Sequence, residues 1–187
     1  MKTCIAKTVI WTGLEYEAAC DMINEGLLKE AFVSIRSVHD RYKGTKRNPW
    51  NEIHGSDHYS RAMHSWNILL SLSGFVYDGP ARKIGFAPRL APEDFKCFFS
   101  AAEGWGQIGQ KIADGRQQET IEVKWGTLRL KQLKFALAEN LKSPKVKVTN
   151  NSKPVSFTHK VVNGEIFISF YSEQTIEAGQ QMVVYIN

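Results

Sequence analysis

Two periods of apolar residues divide this chain. Up to about Ser73 they recur every three or four positions. Leu28, Phe32, Ile35, Val38 and Tyr42 form such a stripe, the spacing of one face of an α-helix. Ahead of it, Thr12-Gly13-Leu14-Glu15 fits a capping box, in which a Thr hydroxyl accepts from an orphan amide and a Glu three residues on reaches back. The helix this predicts runs to about Glu25, with Gly26 as its break. Lys43-Gly44 closes the next one. Thr45 to Ser56 reads as a loop around the Asn48-Pro49 turn signal. A third predicted helix, capped by Ser56 or Asp57, buries Tyr59, Ala62, Met63, Trp66, Leu69 and Leu70 and stops at Ser73-Gly74.

Beyond Gly74 the period falls to two. Ile121, Val123 and Trp125 alternate with Glu122 and Lys124, and Leu128 and Leu130 flank Arg129. Leu133, Phe135 and Leu137 are followed by Val146 and Val148, then by Ile166, Ile168 and Phe170. Asp114-Gly115 and Asn163-Gly164 are strong hairpin signals. Only Pro92 to Ala102 breaks the series, and it reads as a short helix. The expected architecture is α+β: a helical part over residues 1–73, then an antiparallel β-rich region over 74–187, one face of its sheet buried. Three helices with such apolar stripes need more packing partners than the chain supplies, which points to a piece of something larger.

Composition narrows the function classes. The 187 residues are 43% hydrophobic and 23% charged, the profile of a folded globular chain. The apolar runs Ile68–Leu70 and Met182–Ile186 are too short to span a bilayer. Lys7, Glu15 and Glu17 interrupt the run a secretion signal needs, and nothing assigns a compartment. Cys4, Cys20 and Cys97 are odd in number and widely spaced, so neither a disulfide framework nor a metal knuckle follows. The net charge is +5, and between Lys124 and Lys160 nine Lys or Arg face one acid, Glu139. A nucleic-acid footprint would interleave such a run with exposed aromatics. Here the lysines take the outward positions of strands, where they discourage edge pairing, so no nucleic-acid partner is expected.

Chemistry concentrates between Asn48 and Arg61, where two Asn, a Trp, a Glu, an Asp, two His, a Tyr and an Arg crowd one inter-helix connection. Glu52 and Arg61 suit polyol binding: a carboxylate accepts from neighbouring hydroxyls and a guanidinium donates to others. Trp50 or Trp11 would offer a flat apolar wall to a sugar ring. A salt bridge that merely holds the loop explains Glu52 and Arg61 equally well. His54 and His58 are four apart but straddle the predicted helix start, and His64 is out of phase, so no metal is expected. A free-standing carbohydrate-binding module would need a row of exposed aromatics. The tail offers Trp105, Trp125, Phe157 and Tyr171, with Trp125 in phase with core residues.

Several short motifs, in order, resemble glycoside hydrolase family 116, which includes β-glucosidases and the non-lysosomal glucosylceramidase. They are Val9-Ile-Trp-Thr-Gly13, Met22-Ile-Asn-Glu-Gly26, Asn48-Pro-Trp-Asn-Glu-Ile53, Asp57-His-Tyr-Ser-Arg-Ala-Met63, Gly85-Phe-Ala-Pro-Arg89 and Ala101-Ala-Glu-Gly-Trp-Gly106. The resemblance spans about Val9 to Gly106. It implies the C-terminal helices of an (α/α)6 barrel followed by the β-rich tail. It also implies that Glu52, Arg61 and Trp11 contact the sugar of a β-glucoside-like substrate. In that family a nucleophile and an acid/base carboxylate act with retention, and both lie upstream of the Trp-Thr-Gly helix. The chain is therefore expected to hold no catalytic residue, to need no cofactor, and to depend on a catalytic part or partner chain that it lacks.

Overall fold

Helix α1 (Thr12–Asn24) and helix α2 (Leu28–Arg41) are joined through Gly26, whose φ of 82° lets the chain reverse. The Leu27 amide returns to the Met22 carbonyl at 2.8 Å and satisfies one of the last carbonyls of α1. The start of α1 differs from the expected capping box. Trp11 is the N-cap and makes no side-chain cap bond. Glu15 instead forms an ion pair with Arg41 near the end of α2. Helix α3 (Ala62–Ser73) completes the helices, and Ala19, Ile23 and Ala31 form a small buried cluster against which Leu28, Ile35, Ile68 and Leu72 pack.

The connection read as a loop and a helix start contains a two-stranded hairpin, β1 (Glu52–His54) and β2 (Ser56–Tyr59). Tyr59 therefore belongs to a strand and not to the third helix. The structure, a computed structural model, describes residues 11–54, 56–59, 62–139, 141 and 143–187. It divides into two compact units, Met1–Leu72 and Ser73–Asn187.

Barrel helices followed by an antiparallel tail do not describe this fold. Strand accounts for 48% and helix for 23%, with three helices among the described residues. The second unit is one ten-stranded mixed sheet. Its strands are β3 (Val76–Asp78), β4 (Lys83–Phe86), β5 (Asp94–Ser100), β6 (Gly104–Ala113), β7 (Arg116–Ala136), β8 (Val146–Asn150), β9 (Lys153–Pro154), β10 (Phe157–Val162), β11 (Glu165–Glu177) and β12 (Gln181–Ile186). One path runs β10-β11-β7-β12-β8-β9; β3 and β4 join β7 from one side, and β5 and β6 from another. The pairing of β4 with β7 is parallel, which makes the sheet mixed. The short helix expected over Pro92–Ala102 is strand β5. There Phe95 and Cys97 are partly buried and Phe99 is fully buried; the Phe98-Phe99 doublet hides the alternation from a reader of the sequence.

Strand β7 is the spine. Its first half pairs with β6 and β12, and its second half with β11 and β4. Ile108, Ile121, Val148 and Val184 from around the first half share one buried cluster with Phe86, Leu133, Phe135 and Ile168 from around the second. The strand changes phase twice to keep its apolar residues inward. Gln117, Glu119, Ile121 and Val123 face in, then Leu128 and Leu130, then Leu133 and Phe135. The first shift is a bulge opposite Trp105 and Gly106. At the second, the amides of Lys131 and Gln132 both donate to the Arg82 carbonyl, at 2.7 and 3.2 Å. Asp114-Gly115 and Asn163-Gly164, all four at positive φ, turn β6 into β7 and β10 into β11.

Candidate functional site

In the helical unit, Glu52 opens strand β1 and is almost fully buried. One carboxylate oxygen accepts the Thr12 amide at 3.3 Å and the other accepts the Thr12 hydroxyl at 2.5 Å. The residue expected to hold a sugar thus ties β1 to the positive end of α1, where a carboxylate is electrostatically favoured. Trp11, next to that Thr12, is half exposed. Trp11 and Glu52 therefore come together through one shared residue. Arg61, the third member of the expected set, lies outside the described residues. Sequence reasoning set His64 aside as out of phase for a metal and gave it no other role: its ring lies against Gly13, where a Cβ would fall 3.1 Å from its Cε1, and its buried Nδ1 has no hydrogen-bond partner. The signal was available in Gly13, the one residue of the Trp-Thr-Gly motif whose missing side chain leaves room for another ring.

In the β unit, Trp105 on β6 stands directly opposite Trp125 on β7, so both occupy one face of the sheet. Their relative exposures are 45% and 62%, which sets them apart from core tryptophans. Trp125 was expected inside, in phase with Ile121 and Val123. The bulge that follows Val123 reverses the alternation and delivers it to the outer face. Gly126, at a φ of 75°, continues that turn of the backbone, and a Cβ there would run into the Glu103 carbonyl. Phe98 on β5, 45% exposed, pairs with Gln107 two residues from Trp105 and extends the aromatic patch on the same face. Phe157 is partly buried against the core, and Tyr171 is exposed at 75%.

The inner face carries an unusual polar group. Glu119 is fully buried, and burial pushes its carboxyl up to about 8 against a smaller opposing effect from the Gln117 side-chain hydrogen bond. Gln117 donates to Glu119 Oε1 at 2.6 Å and to the Ala136 carbonyl at 2.7 Å, and accepts from the Ala138 amide at 2.9 Å. Glu119 Oε2 has no partner. Burial also raises the thiols of Cys20 and Cys97, which disfavours the reactive thiolate. Cys4 lies outside the described residues. Among the described residues no three His, Cys, Asp or Glu converge in a metal-binding group, and no helix is long and apolar enough to cross a membrane.

No protein family matches this chain, and no curated protein does. A solved GH127 β-arabinofuranosidase is similar over 76% of this chain and 24% of its own, at a TM-score of 0.37 and 12% identity. The chain thus spans about a quarter of that structure's length. A likeness of this strength carries neither fold nor function. It is to a glycoside hydrolase, though not to family 116, for which the comparisons give no support.

Proposed function

We propose that this chain binds carbohydrate, as the sugar-holding C-terminal part of a glycoside hydrolase whose catalytic carboxylates lie elsewhere. The observation that carries the reading is the Trp105–Trp125 pair. Two indoles directly opposite each other on neighbouring strands, both on the outer face, are costly to leave against water unless something apolar and flat covers them. The C–H face of a sugar ring is such a surface, and its hydroxyls then turn to the rim. The ordered motifs that resemble family 116 favour a β-glucoside-like substrate.

The Glu52, Arg61 and Trp11 set remains a second candidate for sugar contact in the same protein. It is favoured by the half-exposed Trp11 beside the Thr12 that anchors Glu52. On this reading Thr12 orients the Glu52 carboxylate beside the exposed Trp11 ring.

Affinity electrophoresis in gels with and without hydroxyethyl cellulose tests the main reading. The intact chain is expected to be retarded by the glycan. Trp125→Ala should abolish retardation and leave the circular dichroism unchanged, since the ring is largely exposed. Equal migration of the two proteins in the glycan gel would sink the proposal. For the second candidate, Glu52→Gln keeps the shape and removes the charge. An unchanged melting temperature with weakened glycan binding supports a sugar contact. A lowered melting temperature with unchanged binding assigns Glu52 to the fold alone.

A further inference from the structure

The outer face that carries the tryptophans continues along the same strands to an open cleft of about 490 Å³. One row of partners crosses four strands there: Lys111 on β6 lies opposite Gln118 on β7, Gln118 opposite Tyr185 on β12, and Tyr185 opposite Lys147 on β8. All four line the cleft, and Arg116 lies on the same face one step closer to the β6–β7 turn. The row spans three strand spacings, about 14 Å, with a cation at each end and an aromatic phenol and an amide between them.

Charge at the cleft is cancelled only in part. Lys111 faces Asp94 at 4.0 Å. Among the described residues neither Arg116 nor Lys147 has a carboxylate within ion-pair reach, and Asp114 is the one acid lining the cleft. Along β6 the outward residues run Trp105, Gln107, Gly109, Lys111. Trp105 and Lys111 are six residues apart, about 20 Å on an antiparallel strand. Gly109 projects no side chain into the path between them. Glu122, the acid on that path, is neutralised by Lys124 at 2.5 Å.

We infer that the glycan held by this face is anionic: sugar rings stack on Trp105 and Trp125 while a carboxylate- or sulfate-bearing unit of the same chain sits among Lys111, Arg116 and Lys147. This rests on the carbohydrate reading above and specifies its ligand. Arg116 supplies a fork that matches a carboxylate or sulfate, and Tyr185 and Gln118 bond ring hydroxyls.

Hydroxyethyl cellulose and carboxymethyl cellulose share a backbone and differ in charge, so affinity electrophoresis of the whole chain in each separates the two proposals. Dextran sulfate serves as a third gel to distinguish sulfate from carboxylate. The intact chain should bind the carboxymethyl polymer at least tenfold more tightly than the neutral one, and the excess should shrink at about 0.5 M salt. The triple variant Lys111→Gln, Arg116→Gln, Lys147→Gln should bring charged-polymer binding down to the neutral level and leave neutral binding intact. Trp125→Ala should abolish neutral binding and weaken charged binding. Retention by neither cellulose overturns the carbohydrate reading together with this one. Equal retention by both, or an excess that survives the triple variant, overturns the anionic ligand alone. Carboxymethyl binding that is untouched by Trp125→Ala shows plain charge attraction and overturns the single strip.

Discussion

The two units bury apolar surface to very different depths. In the helical unit three small or medium side chains, Ala19, Ile23 and Ala31, make the shared buried cluster, while Trp11, Leu14, Leu27, Val33, Trp50 and Trp66 are half exposed or more. In the β unit nineteen residues share one core, with Phe86, Phe99 and Phe135 almost completely enclosed. Buried apolar area is the main favourable term in folding. The β unit has far more of it than the described residues of the helical unit.

The sharpest way to break this contrast is to separate the units. Residues 73–187 alone are expected to unfold in one cooperative transition, by fluorescence and by far-ultraviolet dichroism alike. Residues 1–72 alone should show no cooperative transition and should bind a hydrophobic dye. A two-state melt of the helical piece by itself would end the comparison.

Point substitutions sharpen it. Phe135→Ala removes a fully buried ring and should lower stability by about 4 kcal/mol in urea titrations. Phe32→Ala, on a helix face 38% exposed, should cost less than about 1 kcal/mol. Similar losses at both sites would show that the helical stripes are as well packed as the sheet.

A third effect belongs to the β core and depends on pH. The folded Glu119 holds its proton up to about pH 8, whereas the unfolded chain releases it near the ordinary value of 4.5. Between those values the native state binds more protons than the unfolded state. Stability from this group is therefore complete below about pH 4.5 and declines as pH rises towards 8. Glu119→Gln, which cannot ionise, should match the parent at low pH and exceed it by about 5 kcal/mol at pH 9. Parallel stability curves for the two proteins from pH 5 to 9 would show that this carboxyl is not the titrating group.

Local signals in the sequence were reliable where one residue pair decides the geometry. Asp114-Gly115 and Asn163-Gly164 adopt the positive φ their types permit and close the two hairpins. Ile121, Val123, Leu128, Leu130, Leu133 and Phe135 all face the core, although the strand shifts phase twice on the way. Pattern reading failed where a non-local contact overrides the local period. Phe98 and Phe99 are adjacent and both apolar, yet one faces out opposite Gln107 and the other in opposite Gly106. Trp125 looks inward by parity, and a single bulged residue sends it to the surface, so the aromatic pair was invisible without the register. The antiparallel sheet expected over residues 74–187 gave way to a mixed one because the parallel join of β4 to β7 depends on strands some fifty residues apart. In the candidate site, Glu52 was legible as a special residue. Its partner, the Thr12 hydroxyl forty positions away, was assigned to a cap.

Strand β7 also governs how the β unit comes apart. Its 21 residues bond to β6, β12, β11 and β4, so every larger section of the sheet is attached through it. Its pairing with β6 closes through a two-residue turn, whereas its pairing with β12 joins positions about sixty residues apart. Such distant pairing slows folding, because loop entropy is lost before the contacts form. It also means that no section on either side of β7 can open fully without exposing amides of the spine. Amide exchange at Ile121, Leu130 and Phe135 should then proceed at one common rate set by global unfolding, as in a structure with a single cooperative unit.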